Sequence, residues 1–216
     1  MNLAAKLGRR RPRVEGDREL EILLATLRIL ADVGYDRLTM DAVAAEAKAS
    51  KATLYRRWNT KLSLVLDALK HTKGSTQVPD TGTLRGDLEA AYCGMGGIAD
   101  PETVEIATAI VTAVGTDPDF AVAFRKEVLG PKIATSVAIW ERAQARGEVA
   151  ADVDLTLIEP ALAGIILHRT FVLGEMPDAQ LISRVIDQII LPAATRPAGP
   201  VEHGDPTTAR NPKGRL

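Results

Sequence analysis

One cysteine, Cys93, and three histidines are all the thiol and imidazole groups that these 216 residues offer to a metal or a catalytic site. A lone cysteine excludes an intramolecular disulfide and a thiolate metal cluster. The histidines fall at positions 71, 168 and 203, beside a linker, in a helical pattern and near the C-terminus, a spacing that suggests neither a zinc site nor a catalytic triad. Aromatics make up 4% of the chain, which disfavours an aromatic cage for cations. No stretch approaches the roughly 20 apolar residues that span a bilayer, and the N-terminus lacks the apolar run and cleavage pattern of a secretory signal. Gly94, Gly96 and Gly97 superficially look like a phosphate loop, but they follow a helical pattern, and no lysine-threonine or lysine-serine pair comes after them. Acidic residues are scattered at helix starts and on solvent faces, where they are expected. The expectation is a cytoplasmic protein that is not an enzyme and takes no cofactor and no metal.

What is present is helical periodicity, with little strand signal. Hydrophobic residues at 46% and charged residues at 25% suffice for a small head and a larger body with a sizeable core. Helix one is predicted from about Asp17 to Val33, with Leu20, Leu23, Leu24, Leu27, Leu30 and Ala31 on one face and Gly34 as its stop. Thr39 then caps a short helix whose Met40, Val43, Ala44 and Ala47 face inward. Lys48 and Ala49 interrupt the pattern, Ser50 offers a second cap, and Lys51 to Trp58 resumes it with Leu54 and Trp58 inward. A fourth helix begins near Asn59 or Thr60 and turns Leu62, Val65, Leu66 and Leu69 inward. Two short helices joined by a tight turn form a helix-turn-helix, whose second member reads the major groove of double-stranded DNA. Its outward face carries hydroxyls, an aromatic and cations. Ser50, Lys51, Ala52 and Thr53, near the helix start, are assigned to base edges or thymine methyls; Tyr55, Arg56, Arg57 and Lys61 are assigned mainly to phosphates. Thr39 and Lys48 complete the candidate DNA contacts. The alternatives are a merely solvated basic face and, for Tyr55, a place in a small core with Leu38, Met40 and Leu54.

Charge is divided in the same way. Residues 1 to 72 hold 14 Lys plus Arg against 9 Asp plus Glu, and the remainder holds 13 against 19. A basic head and an acidic body confine attraction for phosphate to one end. Arg9, Arg10, Arg11 and Arg13 precede helix one as a flexible arm, able to enter a minor groove or serve only as a solubilising tail. Residues His71 to Gly82 read as a linker. Thr83 to Ala99 is predicted helical with a loose end, and Asp100-Pro101 and Asp117-Pro118 each start a helix. Gly130 and Pro131 are expected to split the next stretch, leaving a helix from Pro131 to about Arg146 that Gly147 stops. Asp152 or Asp154 opens a long helix to Leu173, and Asp178 opens the last, to about Leu191. From Pro192 onward proline, glycine and charge predominate. The expected division is a flexible arm at 1–16, a DNA-binding head at 17–72 that includes helix four, a helical body at 73–194 and a disordered tail at 195–216.

The run AKASKATLYRRWNTKLSL from Ala47 to Leu64, with LRILADVGYDRLTMDAVAAEA from Leu27 to Ala47, resembles the TetR family of bacterial helix-turn-helix transcriptional regulators. The resemblance covers roughly residues 20 to 66. Lys48 stands where the family has a turn glycine, a position that requires a left-handed backbone; Ala52, Arg57 and Trp58 replace a small residue, a histidine and a phenylalanine. The fold implied is all-α, with an N-terminal three-helix DNA-binding head followed by a helical ligand-binding and dimerisation body. The resemblance implies a repressor of a palindromic operator, released when a small ligand enters the body and shifts helix four. Tyr92, Met95, Ile110, Phe120, Phe124, Trp140, His168 and Phe171 are the candidate lining of that cavity, each with plain core as its alternative, and an apolar or weakly acidic ligand is the expectation. The last two long helices carry more apolar surface than one core-facing stripe needs. Leu155, Ile158, Leu162, Ile165, Ile166, Leu181, Val185, Ile186 and Ile189 are therefore the candidate homodimer interface, in line with the family's four-helix contact. A DNA-binding regulator without a ligand is the alternative, and an all-helical enzyme or lipid carrier is a third reading.

Overall fold

The computed structural model describes residues 15–71, 78–93 and 101–195. The basic arm, Met95, the glycines at 94, 96 and 97, Asp100, His203 and residues 196–216 of the C-terminal tail lie outside the described residues, as do positions 72–77 of the linker. Among the described residues every regular element is helical, and no helix is long and apolar enough to cross a membrane.

Helix α1 (Glu15–Arg37) is interrupted at Gly34, whose φ of 76° lies in the left-handed region that glycine adopts freely. Its buried arc runs through Ile22, Leu23, Ala25, Thr26, Leu27 and Leu30. Leu20 and Leu24, expected on that face, are 47% and 45% exposed. They lie on the flank of the arc beyond Leu27, because α1 packs mainly on α6 and α4, which cover its other side. Helices α2 (Met40–Glu46), α3 (Lys51–Arg57) and α4 (Lys61–Lys70) follow, each capped as its sequence requires. The Thr39 hydroxyl accepts from the Ala42 N–H, Ser50 from Thr53, and Thr60 from Ser63, which returns a bond to the Thr60 N–H.

The body comprises α5 (Leu84–Cys93), α6 (Pro101–Thr116), α7 (Pro118–Phe124), α8 (Gly130–Ala145), α9 (Leu155–Ile158), α10 (Ala161–Phe171), α11 (Ala179–Val185) and α12 (Leu191–Thr195). Asp117, Asp154 and Asp178 cap α7, α9 and α11. Three prolines behave otherwise than expected. Gly130 and Pro131 do not split the chain: α7 passes through a π-helical turn (Arg125–Leu129) straight into α8. A proline ring collides with the carbonyl four residues earlier and offers no N–H, and the widened turn before Pro131 accommodates both. The same device, a π turn at Ile186–Ile190, carries the last helix past Pro192 to Thr195. The single helix expected after Asp154 is instead broken between Ile158 and Ala161, where Pro160 lacks the N–H that would bond Thr156.

Two buried clusters result. One joins α1 to α4 with Ala109 and Ala113 of α6, Phe120 of α7 and Val128 of the first π turn. Its aromatic centre is Phe120, with ring centroids 4.5 Å from Tyr35 and 5.9 Å from Phe124. The other joins α5, α8 and α9 to α12 around Leu88, Trp140, Leu162 and Ile186. A buried carboxylate, Asp87, fixes the start of α5 against α8. It accepts from the Thr81 N–H at 2.6 Å, the Thr81 hydroxyl at 2.8 Å and Arg146 at 3.1 Å. Burial pushes the Asp87 pKa up, but the hydrogen bonds from Thr81 and Arg146 outweigh it and hold it below the ordinary value.

Candidate nucleic-acid interface

Between α2 and α3 the chain turns at Lys48, the non-glycine residue with positive φ (51°) among the described residues. Its carbonyl accepts from Arg18 of α1, which also pairs with Glu21. The turn therefore keeps its left-handed geometry despite the lysine side chain, and α1 supports it from behind. Ser50 and Thr53 meet at the start of α3, with their hydroxyls 2.8 Å apart.

Leu54 and Trp58 anchor α3 in the head core, both buried. The Trp58 indole N–H donates to Asp67 of α4 at 2.9 Å, so α3 is tied to α4 by a specific bond as well as by packing. This leaves Lys51, Ala52, Tyr55, Arg56 and Arg57 exposed, with Thr53 half-buried. Tyr55 is 50% exposed and thus belongs to the outer face, not to the core with Leu38, Met40 and Leu54.

The cations on this face are not equivalent. Lys51 donates to Asp41 at 2.7 Å, and Arg57 donates through two nitrogens to Glu19, at 3.0 and 3.3 Å. These bonds, followed by the charges behind them, hold both cations above their ordinary pKa values. Arg56 makes no ion pair among the described residues. Lys61 faces the end of α1: its ammonium donates to the carbonyls of Tyr35 at 2.9 Å and Asp36 at 3.4 Å, and lies 4.2 Å from the centre of the Tyr35 ring. Two of its three donors are thus engaged within the head. Asp41 and Glu19, which meet the cations of this face, and Asp67, which holds Trp58 behind it, were not read from the sequence; they lie 10, 38 and 9 residues from their partners, where no local spacing rule reaches.

The other expected site residues are scattered. Phe120, Phe124 and Ile110 belong to the cluster shared with the head, while Tyr92 and Trp140 belong to the body cluster. His168 is exposed on α10 rather than enclosed, because α10 turns Leu162 and Ile166 to the core and position 168 lies outside that arc. Phe171 is half-buried, and Met95 is outside the described residues. An open groove of about 480 Å³ lies between the end of α1 and α6, bounded by Asp32, Tyr35, Arg37, Glu105 and Thr112 among others. No described member of the expected cavity lining borders it. Desolvation, followed by the nearby charge of Glu159, pushes the Tyr92 hydroxyl up to about 12.

Of the residues expected at a dimer contact, Ile158, Leu162, Ile166, Val185 and Ile186 are buried within the single chain, and Leu155, Ile165 and Leu181 pack against them. The apolar faces of α5 and α8, with Leu84, Leu88, Ile139 and Trp140, cover these positions within the chain. Ile189, at 48% exposure, remains outside. The exposed apolar side chains on the same segments are Leu157, Leu167, Val172, Leu173 and Met176.

Comparison with known proteins gives a consistent picture. Residues 22–68 match the family described as bacterial regulatory proteins, tetR family, and residues 78–189 match the tetracyclin repressor-like C-terminal domain. An uncharacterised HTH-type transcriptional regulator of Mycobacterium tuberculosis is 36% identical over 84% of this chain and 90% of its own length. A DNA-binding transcriptional repressor TetR of Mycobacteroides abscessus is 35% identical over 81% of this chain and 92% of its own. The crystal structure of the TetR family transcription regulator SCO0332 superposes with a TM-score of 0.63 at 29% identity, covering 81% of this chain and 97% of that one.

Proposed function

The chain belongs to the TetR family of DNA-binding transcriptional regulators, and from that premise we propose that it is a repressor that holds a palindromic operator as a homodimer and leaves it when a small molecule binds the body. The observation that carries the reading is the outward face of α3, anchored from behind by Leu54 and Trp58. Ser50, Lys51, Ala52 and Thr53 sit near its start, where a recognition helix meets base edges. Lys48, Tyr55, Arg56 and Arg57 run along phosphates, joined by Thr39 and by the N–H that Lys61 has left.

The negative sign of regulation is supported by the M. abscessus relative, which is named a repressor. A homodimer is supported by the exposed Leu157, Leu167, Val172, Leu173, Met176 and Ile189, since two heads on one twofold axis read two half-sites. Release by an apolar or weakly acidic ligand is supported by Trp140 Nε1 and Thr170 Oγ1, buried polar atoms with no hydrogen-bond partner among the described residues, which an acceptor on a ligand would satisfy. The head at 17–72 and the body at 73–194 are the two working parts, and α4 links them.

The test is selection of bound sequences from a random duplex pool, with binding repeated at two salt concentrations. Enrichment of a palindrome is the expected result. Salt-labile binding with no enriched sequence would overturn the reading.

A further inference from the structure

Two of the cations on the reading face are already held by carboxylates from other helices. Glu19 of α1 takes two nitrogens of Arg57, and Asp41, in the first turn of α2, takes Lys51. Both pairs are solvent-exposed, with 60% and 63% of the Arg57 and Lys51 side-chain surface open, and such pairs contribute little to folding. Arg56 sits between them on the same helix without an ion pair among the described residues.

We propose that Glu19 and Asp41 are specificity-determining residues of the head, occupying Arg57 and Lys51 until a duplex docks closely enough for its own phosphate or base edge to displace them. The inference rests on α3 being the DNA-reading helix. A carboxylate oxygen and a phosphate oxygen compete for the same guanidinium or ammonium protons with similar geometry. In a closely fitted complex the incoming group arrives at hydrogen-bonding distance, and the exchange is nearly even. A duplex of the wrong sequence is held loosely, mainly through its phosphates, and does not reach the guarded cations. Those cations then add nothing to non-specific affinity, which is carried by Arg56 and Lys48 instead. The acidic pair thereby widens the gap between specific and non-specific binding, as a repulsive element does in other recognition surfaces.

The full-length chain and its Glu19→Gln and Asp41→Asn variants are titrated with a random-sequence duplex and with the duplex selected by the wild type, over a range of salt. Each variant is expected to bind the random duplex up to about fivefold more tightly, the scale of an exposed ion pair. Its plot of log affinity against log salt steepens by about one unit. The selected duplex gains less, so the ratio between the two falls. Glu19→Gln in an Arg57→Ala background is expected to leave the slope where Arg57→Ala alone puts it. An equal steepening in that background would show that only net charge counts, and would overturn the proposal, as would unchanged slopes in the single variants. A wild type that selects no duplex from the random pool would remove the reading of α3 and this inference together; a wild type that selects an operator while the variants behave like it would remove this inference alone.

Discussion

Lys48 holds a backbone conformation that costs a residue with a Cβ on the order of 1 kcal/mol, at φ 51° in the turn between α2 and α3. Lys48→Gly removes that cost while adding freedom to the unfolded chain, so a net gain of up to about 1 kcal/mol is expected in urea unfolding. The same variant loses a cation at the mouth of the reading face. DNA affinity is therefore expected to fall as stability rises, and a fall in both would mean that the lysine side chain itself supports the turn. Asp87 allows a test at a second single residue. Its native pKa is lowered, so its contribution is fully present above the unfolded value of about 3.9 and is lost as pH falls through the native value. Asp87→Asn is expected to cost about 2 kcal/mol near neutral pH. The difference from wild type should shrink below about pH 4, measured as the urea midpoint at each pH.

At the scale of elements, a hydrogen-bonded route links α3 to the body. The Trp58 indole donates to Asp67, Lys70 donates to the other oxygen of Asp67 at 3.4 Å, and Lys70 reaches Glu127 at 2.7 Å. Glu127 lies in the π turn that precedes Pro131, so the widened turn carries the carboxylate that meets α4. Glu127→Gln breaks an exposed pair and should change stability by less than about 0.5 kcal/mol. If α4 is held in its DNA-reading position through this contact, operator affinity should nevertheless weaken severalfold; unchanged affinity would make the contact incidental. The helix starts were legible in the sequence because capping is local. Thr39, Ser50, Asp117, Asp154 and Asp178 each accept from an N–H two or three residues ahead. Pro131 and Pro192 were not, because the rule that proline stops a helix assumes an α turn before it, and here that turn widens instead. The outward face of α3 was legible by the same periodicity that buries Leu54 and Trp58. The carboxylates that face it were not, since Glu19 meets Arg57 only after α1 and α3 have packed.

At the scale of the whole molecule, periodicity says that a helix has an apolar stripe but not which neighbour covers it. Ile158, Ile166 and Ile186 were therefore expected at a contact between copies yet fill the chain's own core, while Leu157, Leu167 and Ile189 remain in solvent. Of the residues expected at the contact, Ile189 is exposed, and Leu157 and Leu167 join it as exposed apolar side chains on the same segments. This separation makes the proposed homodimer testable without disturbing the fold. Leu167→Glu and Ile189→Glu place a charge on side chains that are each 48% exposed, so the helical circular dichroism and the unfolding midpoint of the isolated chain should change little. Burying an unpaired carboxylate in an apolar contact is costly, so sedimentation should report the mass of one chain where the wild type gives two. A palindrome engages both heads at once, and losing the second engagement should weaken operator binding about a hundredfold or more, while binding to a single half-site is retained. Ile166→Glu, at 7% exposure, is the contrasting variant and is expected to unfold the body. A Leu167→Glu chain that still sediments as two copies would move the contact to another face, of which the exposed Val122, Leu129 and Ile133 on α7, the first π turn and α8 form the next apolar candidate.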